Sequence, residues 1–274
     1  MAEDVSVSED TLTCALSLLL NLSKVMLQTA RQEAAESLEK FVPHKISILL
    51  GLITAGADFY KSLGVKKRSE AEAIWKKFYH NATVRDKVVE LLQLESEWDS
   101  FLESVDRGLQ TTDRQLSGGK MAASLSPDTT FTDGRSGESV TLGQFLGRGE
   151  KPLLAVLEAR SVRVVVVAFG GLQGAQVWRE QTGSTFDMLL DPQRKVYRSF
   201  GLGSSYTKVM RFGILLQYSE YPAVDRDFPD MPPHMLEDIY QLGGDFLLDE
   251  AGKVLLCHPS KSPMDRPSVE DILQ

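Results

Sequence analysis

The run "VRVVVVAFGG" at residues 162–171 constrains this chain more than any other stretch. A continuous β-branched run is the signature of a strand buried on both faces, the kind found in parallel sheets. Parallel neighbours must be joined by a crossover of about a dozen residues or more, usually a helix. Yet a second strand-like run, Pro152–Val156, is separated from Val162 by only five residues. The intervening "LEARS" is too short for a crossover and lacks the glycine or asparagine of a tight hairpin. A hairpin is allowed by length but reverses the strand order expected of an α/β pattern. Alternatively, "LLAVLEARS" is one short helix, since Ala155–Arg160 are good helix formers, and the sheet loses its first strand. On each reading, something that belongs between Leu154 and Ser161 is missing.

The surrounding sequence supports an α/β reading of the C-terminal half. "TTFTDGRSGESVTLGQFLG" holds two short β-prone runs around "DGRSGE", a predicted hairpin. "LQGAQVWREQTG" reads as a helix ending at Gly183, "FDMLLD" as a strand closed by Asp191-Pro192, and "RKVYRSFGLG" as a short helix stopped by glycine. "DFLLDEAGKVLLCH" predicts a hairpin turning at Glu250–Gly252, and "PSVEDIL" a last helix from Pro267–Ser268. Strand, helix, strand, helix, hairpin and helix give an α/β sandwich with a mixed sheet. "EYPAVDRDFPDMPPHM" (Glu220–Met235) is proline-rich and acidic and is expected to be an insertion loop over the sheet edge.

The N-terminal part has another pattern. Leu12, Leu16, Leu19, Leu20, Leu27 and Ala30 recur at helical spacing, up to an expected break at Pro43. A second helical segment runs from His44 to Leu63. A third is expected to start at Ser69, with Glu72 completing a capping box, and to carry Ile74, Trp75, Phe78 and Tyr79 on its apolar face. After a polar break at His80–Ala82, Val84–Leu109 presents Val88, Leu91, Leu92, Trp98, Phe101, Leu102 and Val105. These segments predict a helical bundle over residues 1–112. The Ser- and Gly-rich stretch 113–127 is the expected linker, and 128–274 the α/β domain, lacking its active-site segment near 155–161.

Composition narrows function mainly by exclusion. The net charge is −8, which argues against nucleic acid and acidic membranes as partners. The two cysteines, Cys14 and Cys257, make no C-x-x-C and no disulfide framework. A reducing, cytoplasmic setting is expected. Leu12–Leu22 lacks the cationic flank of a signal peptide, and Ile46–Ala57 falls short of the roughly 20 residues that span a bilayer, so both are expected to be core helices. Cys14 is expected in the core. His44, His80 and His234 stand without ligand partners at metal spacing. Lys66, Lys67 and Arg68 read as a solvated helix end, and the "NAT" sequon at Asn81–Thr83 as chance. No metal or cofactor site is expected. Cys257 is the one thiol of the α/β half; its neighbour His258 should point to the opposite face of the strand, so the pair should not meet. A protein partner, if any, is expected through the helical region.

The hairpin before "KPLL", the segment "LLDPQRKVYRSFGLG" at Leu189–Gly203, and "GGDFLLDEAGKVLLCHPSKSPMDRPSVEDIL" at Gly243–Leu273 resemble the peroxiredoxin-like branch of the thioredoxin superfamily, the alkyl hydroperoxide reductase and thiol-specific antioxidant type. The resemblance covers about residues 125–274. With the added helical region the chain is similar to the selenoprotein L group. The resemblance implies a thioredoxin-like fold, redox activity, and a Cys or selenocysteine pair carried at the N-terminus of a helix straight after a strand. It also implies that Gly243–Gly244 stand where many thioredoxin folds carry a cis-proline. The sequence departs from this pattern at the decisive place: it holds no Cys between residues 15 and 256. No catalytic residue is therefore assigned, and the chain is expected to be inactive as written.

Overall fold

The structure, a computed structural model, describes residues 7–113, 121–146, 162–226, 228 and 238–273. Its helices and strands run in the order α1 (Glu9–Glu36), α2 (Leu38–His44), α3 (Gly51–Ser62), α4 (Arg68–Lys77), α5 (Ala82–Asp113), β1 (Thr130–Asp133), β2 (Ser139–Thr141), β3 (Val165–Ala168), α6 (Leu172–Thr182), β4 (Asp187–Leu190), α7 (Lys195–Ser199), α8 (Tyr206–Met210), α9 (Phe212–Tyr218), β5 (Gly244–Leu248), β6 (Val254–Pro259) and α10 (Val269–Leu273). The predicted strand at Pro152–Val156 and the seam beside it lie outside the described residues, as does His234.

The chain divides into two compact units. The first is helical and joins residues 1–111 to residues 206–228. The leucines predicted for the core of α1 are buried, and α1 packs on α3. α1 is also the one described helix long and apolar enough to cross a membrane by length and composition. The break in this region falls at Ser37, six residues before Pro43. Ser37 is extended (φ −166°), and its side chain accepts from the Lys40 amide to start α2. Pro43 lies inside α2, which ends at the next residue.

Two other expectations for this unit are corrected. The third helix begins at Arg68 after an extended Lys67, with no side-chain cap, so there is no capping box at Ser69. Glu72 instead bonds the Arg68 guanidinium at 3.0 Å, and Arg68 also forks onto both oxygens of Glu95 at 3.2 and 2.9 Å. Arg68 is thus a half-buried cross-brace rather than part of a solvated helix end, while Lys66 and Lys67 are exposed as expected. Cys14 is exposed rather than in the core. It lies two residues from both Leu12 and Leu16, and two residues along a helix is a turn of about 200°, which carries it to the opposite face.

Residues 206–228 complete the helical core. Trp98, wholly buried, donates from Nε1 to the Met210 carbonyl at 2.9 Å and meets the Phe212 ring edge-on at 5.6 Å. The Tyr60 hydroxyl donates to the Leu216 carbonyl at 3.1 Å. Gly56 is needed where α3 and α9 cross, because a Cβ there would stand 2.3 Å from Ser219 Oγ. Asp106 accepts the Tyr206 and Thr207 amides, and Asp99 that of Phe212, so the N-termini of α8 and α9 are each held by a carboxylate. Glu220–Asp225, expected as a loop over the sheet edge, belong here. Pro222–Val224 form a 3-10 turn, and Glu220 accepts the Arg68 amide at 3.0 Å.

The second unit is mixed α/β. Its larger sheet has the order β2-β1-β4-β3. β1 pairs antiparallel with β2, through the predicted "DGRSGE" turn, and with β4, whereas β3 and β4 are parallel with α6 between them. β5 and β6 form a separate antiparallel pair. α6 ends at Gly183 as expected, and α10 is capped by Ser268, which exchanges hydrogen bonds with Asp271. Leu125, Phe131, Leu142, Leu189, Val196 and Phe200 make the core under one face, with Val165, Val167 and Phe246 packed against them. Ala175, Met188 and Leu190, with Val166 and Trp178, make the other. The valine run is shorter as a strand than expected. Val162–Val164 lie outside β3, and all four residues of β3 are half-buried rather than buried on both faces. Among the described residues β3 has one strand neighbour, β4.

Candidate functional site at the strand ends

Ligand sites in parallel α/β sheets gather at the carboxyl ends of the strands. Here those ends are Phe169–Gly171, leading into α6, and Asp191, leading towards α7. Asp191 is almost wholly buried: its amide donates to the Ala168 carbonyl at 2.7 Å, and its carboxylate accepts the Val196 amide at 2.7 Å. Two buried backbone groups are satisfied this way, and the two strand ends are tied together. Arg194 adopts a left-handed conformation (φ 51°) that few non-glycine residues take. Its guanidinium lies 4.4 Å over the Phe169 ring and bonds Asp238 at 3.1 Å and Gln241 at 3.0 Å. Ser204 donates to the same Asp238 oxygen at 2.6 Å.

Tyr197 closes the cluster. Its ring meets Phe169 edge-on at 5.5 Å, and its hydroxyl donates to the Val167 carbonyl at 3.0 Å. Burial, helped by the nearby Asp191 carboxylate, pushes the phenol up to about 12, so it remains a neutral donor at physiological pH. Arg194, Asp238 and Tyr197 were not singled out from sequence. The motif "LLDPQRKVYRSFGLG" held Arg194 and Tyr197, but nothing in spacing alone linked them to Asp238. Every group in this cluster is engaged by another, so it braces the strand ends and offers no free nucleophile.

Cys257 does not supply one either. It stands opposite Phe246 in the β5–β6 ladder, with Sγ 3.4 Å from Met121 Sδ, and it packs against the sheet core. Burial pushes its thiol above the ordinary range, which lowers the thiolate fraction and hence reactivity. His258 stands opposite Asp245 instead and lies 3.3 Å from Asp265, so Cys257 and His258 face different neighbours, as their adjacency on a strand predicts. The Asp265 carboxyl is held below its usual range by the Lys261 amide and by His258. Cys14 lies in the other unit. His44 and His80 are exposed; His80 reaches the Lys77 carbonyl and Glu9. Asn81 of the sequon caps α5 by accepting the Thr83 and Val84 amides and donates to Glu9. At Gly244 a Cβ would stand 2.7 Å from the His258 carbonyl, so close approach of β5 to β6 requires glycine there.

A cavity of about 930 Å³ opens between β3 and β5, lined mainly by apolar residues such as Phe131, Val165, Val167, Phe200, Phe246 and Leu248. Arg163 and Arg266 also line it, each already paired: Arg163 with Asp187 at 2.8 Å and Arg266 with Asp245 at 3.1 Å.

Residues 151–262 match the family model described as AhpC/TSA antioxidant enzyme. No curated protein and no solved structure matches. Residues 151–262 thus carry a thioredoxin-like domain of the AhpC/TSA type, following an N-terminal helical region; the match runs through residues 206–228, which pack in the helical unit.

Proposed function

We propose that this chain is a selenoprotein L-like, thioredoxin-fold antioxidant protein whose redox pair lies outside the sequence it carries, so that the chain as written is catalytically silent. One observation carries the reading. The AhpC/TSA match runs from residue 151 to residue 262, across a stretch of sequence that holds a single thiol, Cys257. That thiol is pushed away from reactivity by burial. The strand ends, where the chemistry of such folds resides, are closed by mutually paired side chains.

The chemistry such a domain performs needs a nucleophile at a helix N-terminus, where unpaired N–H groups and the dipole favour a thiolate or selenolate. The anion attacks one peroxide oxygen, the O–O bond breaks, and the alkoxide leaves as an alcohol after taking a proton. The resulting sulfenic or selenenic acid condenses with a second thiol or selenol, releasing water. Neither step has a participant at the strand ends described above. The seam at Leu154–Ala155 is the proposed point of omission. The transcript across it is the test: a longer form encoding a Cys or selenocysteine pair, with peroxide consumption by its product, is the expected result. Transcripts that run only from Leu154 straight to Ala155 overturn it.

A second reading gives the helical unit a binding role. Leu18, Leu22 and Val25 recur at helical spacing on α1 and are 55%, 40% and 63% exposed. Such a stripe is unusual on a helix whose opposite face already fills a core. This reading calls for a stable protein partner and for no peroxidase turnover from any transcript.

A further inference from the structure

Residues 261–272, which follow β6, are held differently from the rest of their unit. None of them is buried, and none belongs to either hydrophobic core. Apolar burial, the usual anchor of a segment, therefore contributes little here. Polar contacts with the β5–β6 hairpin take its place. The Ser260 amide donates to the Gly243 carbonyl at 3.0 Å and fixes where the segment leaves β6. Two consecutive residues then reach back to the hairpin. Asp265 lies 3.3 Å from His258 Nε2, and Arg266 donates to Asp245 at 3.1 Å.

His258 and Asp245 stand directly opposite each other in the ladder, so their side chains share one face and the two ion pairs are neighbours. The pairs differ in kind. Arg266 keeps its charge at every physiological pH, and its contact with Asp245 is a hydrogen bond. His258 Nε2 is enclosed yet makes no hydrogen bond, and the Asp265 carboxylate beside it is not aligned for one. An aligned bond would survive in a neutral imidazole that carries its proton on Nε2. A misaligned contact is an attraction between charges and disappears with the imidazolium. The surrounding groups make that charge count. Asp245 comes from β5, Asp265, Lys261 and Arg266 from the segment itself, and Asp271 from α10, where it also accepts the Ser268 amide and hydroxyl. Beside a neutral His258, these are three carboxylates against two cations; an imidazolium balances them.

We propose that residues 261–272 form a strap that His258 fastens to the β5–β6 hairpin when it is protonated and releases when it is neutral. The sign follows from the pair. Attraction between imidazolium and carboxylate is complete on the acid side of the imidazole range and is lost as pH rises through it. The Asp265 carboxyl is held below its usual range by the Lys261 amide first, and by the charges of His258 and Lys261. It therefore stays ionised while His258 titrates, and its own contribution is lost only as pH falls into the carboxylate range. Fastening is strongest between about pH 4 and about pH 6. No thiol takes part, so the strap stands or falls independently of the redox reading.

The test uses the full chain and reads amide hydrogen exchange by NMR at pH 5.5 and pH 8, corrected for the pH dependence of exchange in a free peptide. The Lys261 and Asp265 amides report on the strap, since both are bonded within it, and the Leu256 amide reports on the hairpin. In the unaltered protein, protection of Lys261 and Asp265 is expected to be about fivefold higher at pH 5.5, with Leu256 unchanged. His258→Gln should hold both amides at the pH 8 level at either pH, and Asp265→Asn should abolish the difference at the Asp265-position amide. Equal protection at the two pH values in the unaltered protein overturns the proposal. So does a difference that persists in His258→Gln, or one shared by Leu256, which would mean that the whole hairpin responds.

Discussion

Cys257 illustrates how little a cysteine's position in the sequence says about its reactivity. Beside His258 it looks like an activated thiol. The ladder places its neighbours as Phe246, Met121 and the sheet core, and burial raises rather than lowers its proton affinity. Cys14 reverses the comparison: it lies in an apolar run of the chain and is exposed. A thiol whose pKa is raised has less thiolate at neutral pH, so alkylation of Cys257 should lag behind that of Cys14 in the native protein. Iodoacetamide labelling followed by peptide mapping reads the order directly. Cys257 labelling as fast as Cys14 would show that the thiol is activated after all. The opposed directions of Cys257 and His258 were legible in the sequence, from the period of two along a strand. The exposure of Cys14 was legible too, once its distance from Leu12 and Leu16 is counted in turns.

Elements were easier to find than their neighbours. The turn at "DGRSGE", the stop of α6 at Gly183 and the β5–β6 hairpin follow from local chemistry, and all are present. The start of α4 does not, because Arg68 answers both to Glu72 and to Glu95, 27 residues away in sequence. The role of α8 and α9 is likewise set by distant groups, Trp98 and Tyr60 above all. Trp98→Phe leaves the buried Met210 carbonyl without its donor and should destabilise the helical unit by about 1–3 kcal/mol. Leu92→Ala, at a half-exposed site on the same helix, should stay within about 0.5 kcal/mol. Urea unfolding followed by far-UV circular dichroism separates the two, and equal losses would mean that the Trp98 bond contributes nothing.

Across the whole molecule, the chain passes from the helical unit to the α/β unit, back through residues 206–228, and out again. The composition shift near residue 113 is visible in the sequence; the return is not, since an apolar helical stretch carries no mark of which core it will fill. A fragment of residues 1–113 lacks the groups that cover Trp98 and Tyr60, and it should unfold with lower cooperativity than the helical unit in the full chain. A peptide of residues 205–228 added to it should restore the transition. A fragment already as cooperative as the intact unit would show those residues to be dispensable. The α/β unit was legible as a class from strand and helix order, and its likeness to the AhpC/TSA type from scattered motifs. Its brace of Arg194, Asp238 and Tyr197 was not, because the three meet only after β4, α7 and the segment before β5 have folded.

We propose above that this chain carries a scaffold of the AhpC/TSA type without a redox pair. Hydroperoxide consumption by the purified chain, with dithiothreitol as reductant, is the decisive measurement. The predicted rate equals that of a variant carrying both Cys14→Ser and Cys257→Ser. Turnover above that level that disappears with Cys257→Ser alone would contradict the claim and place a working nucleophile on β6.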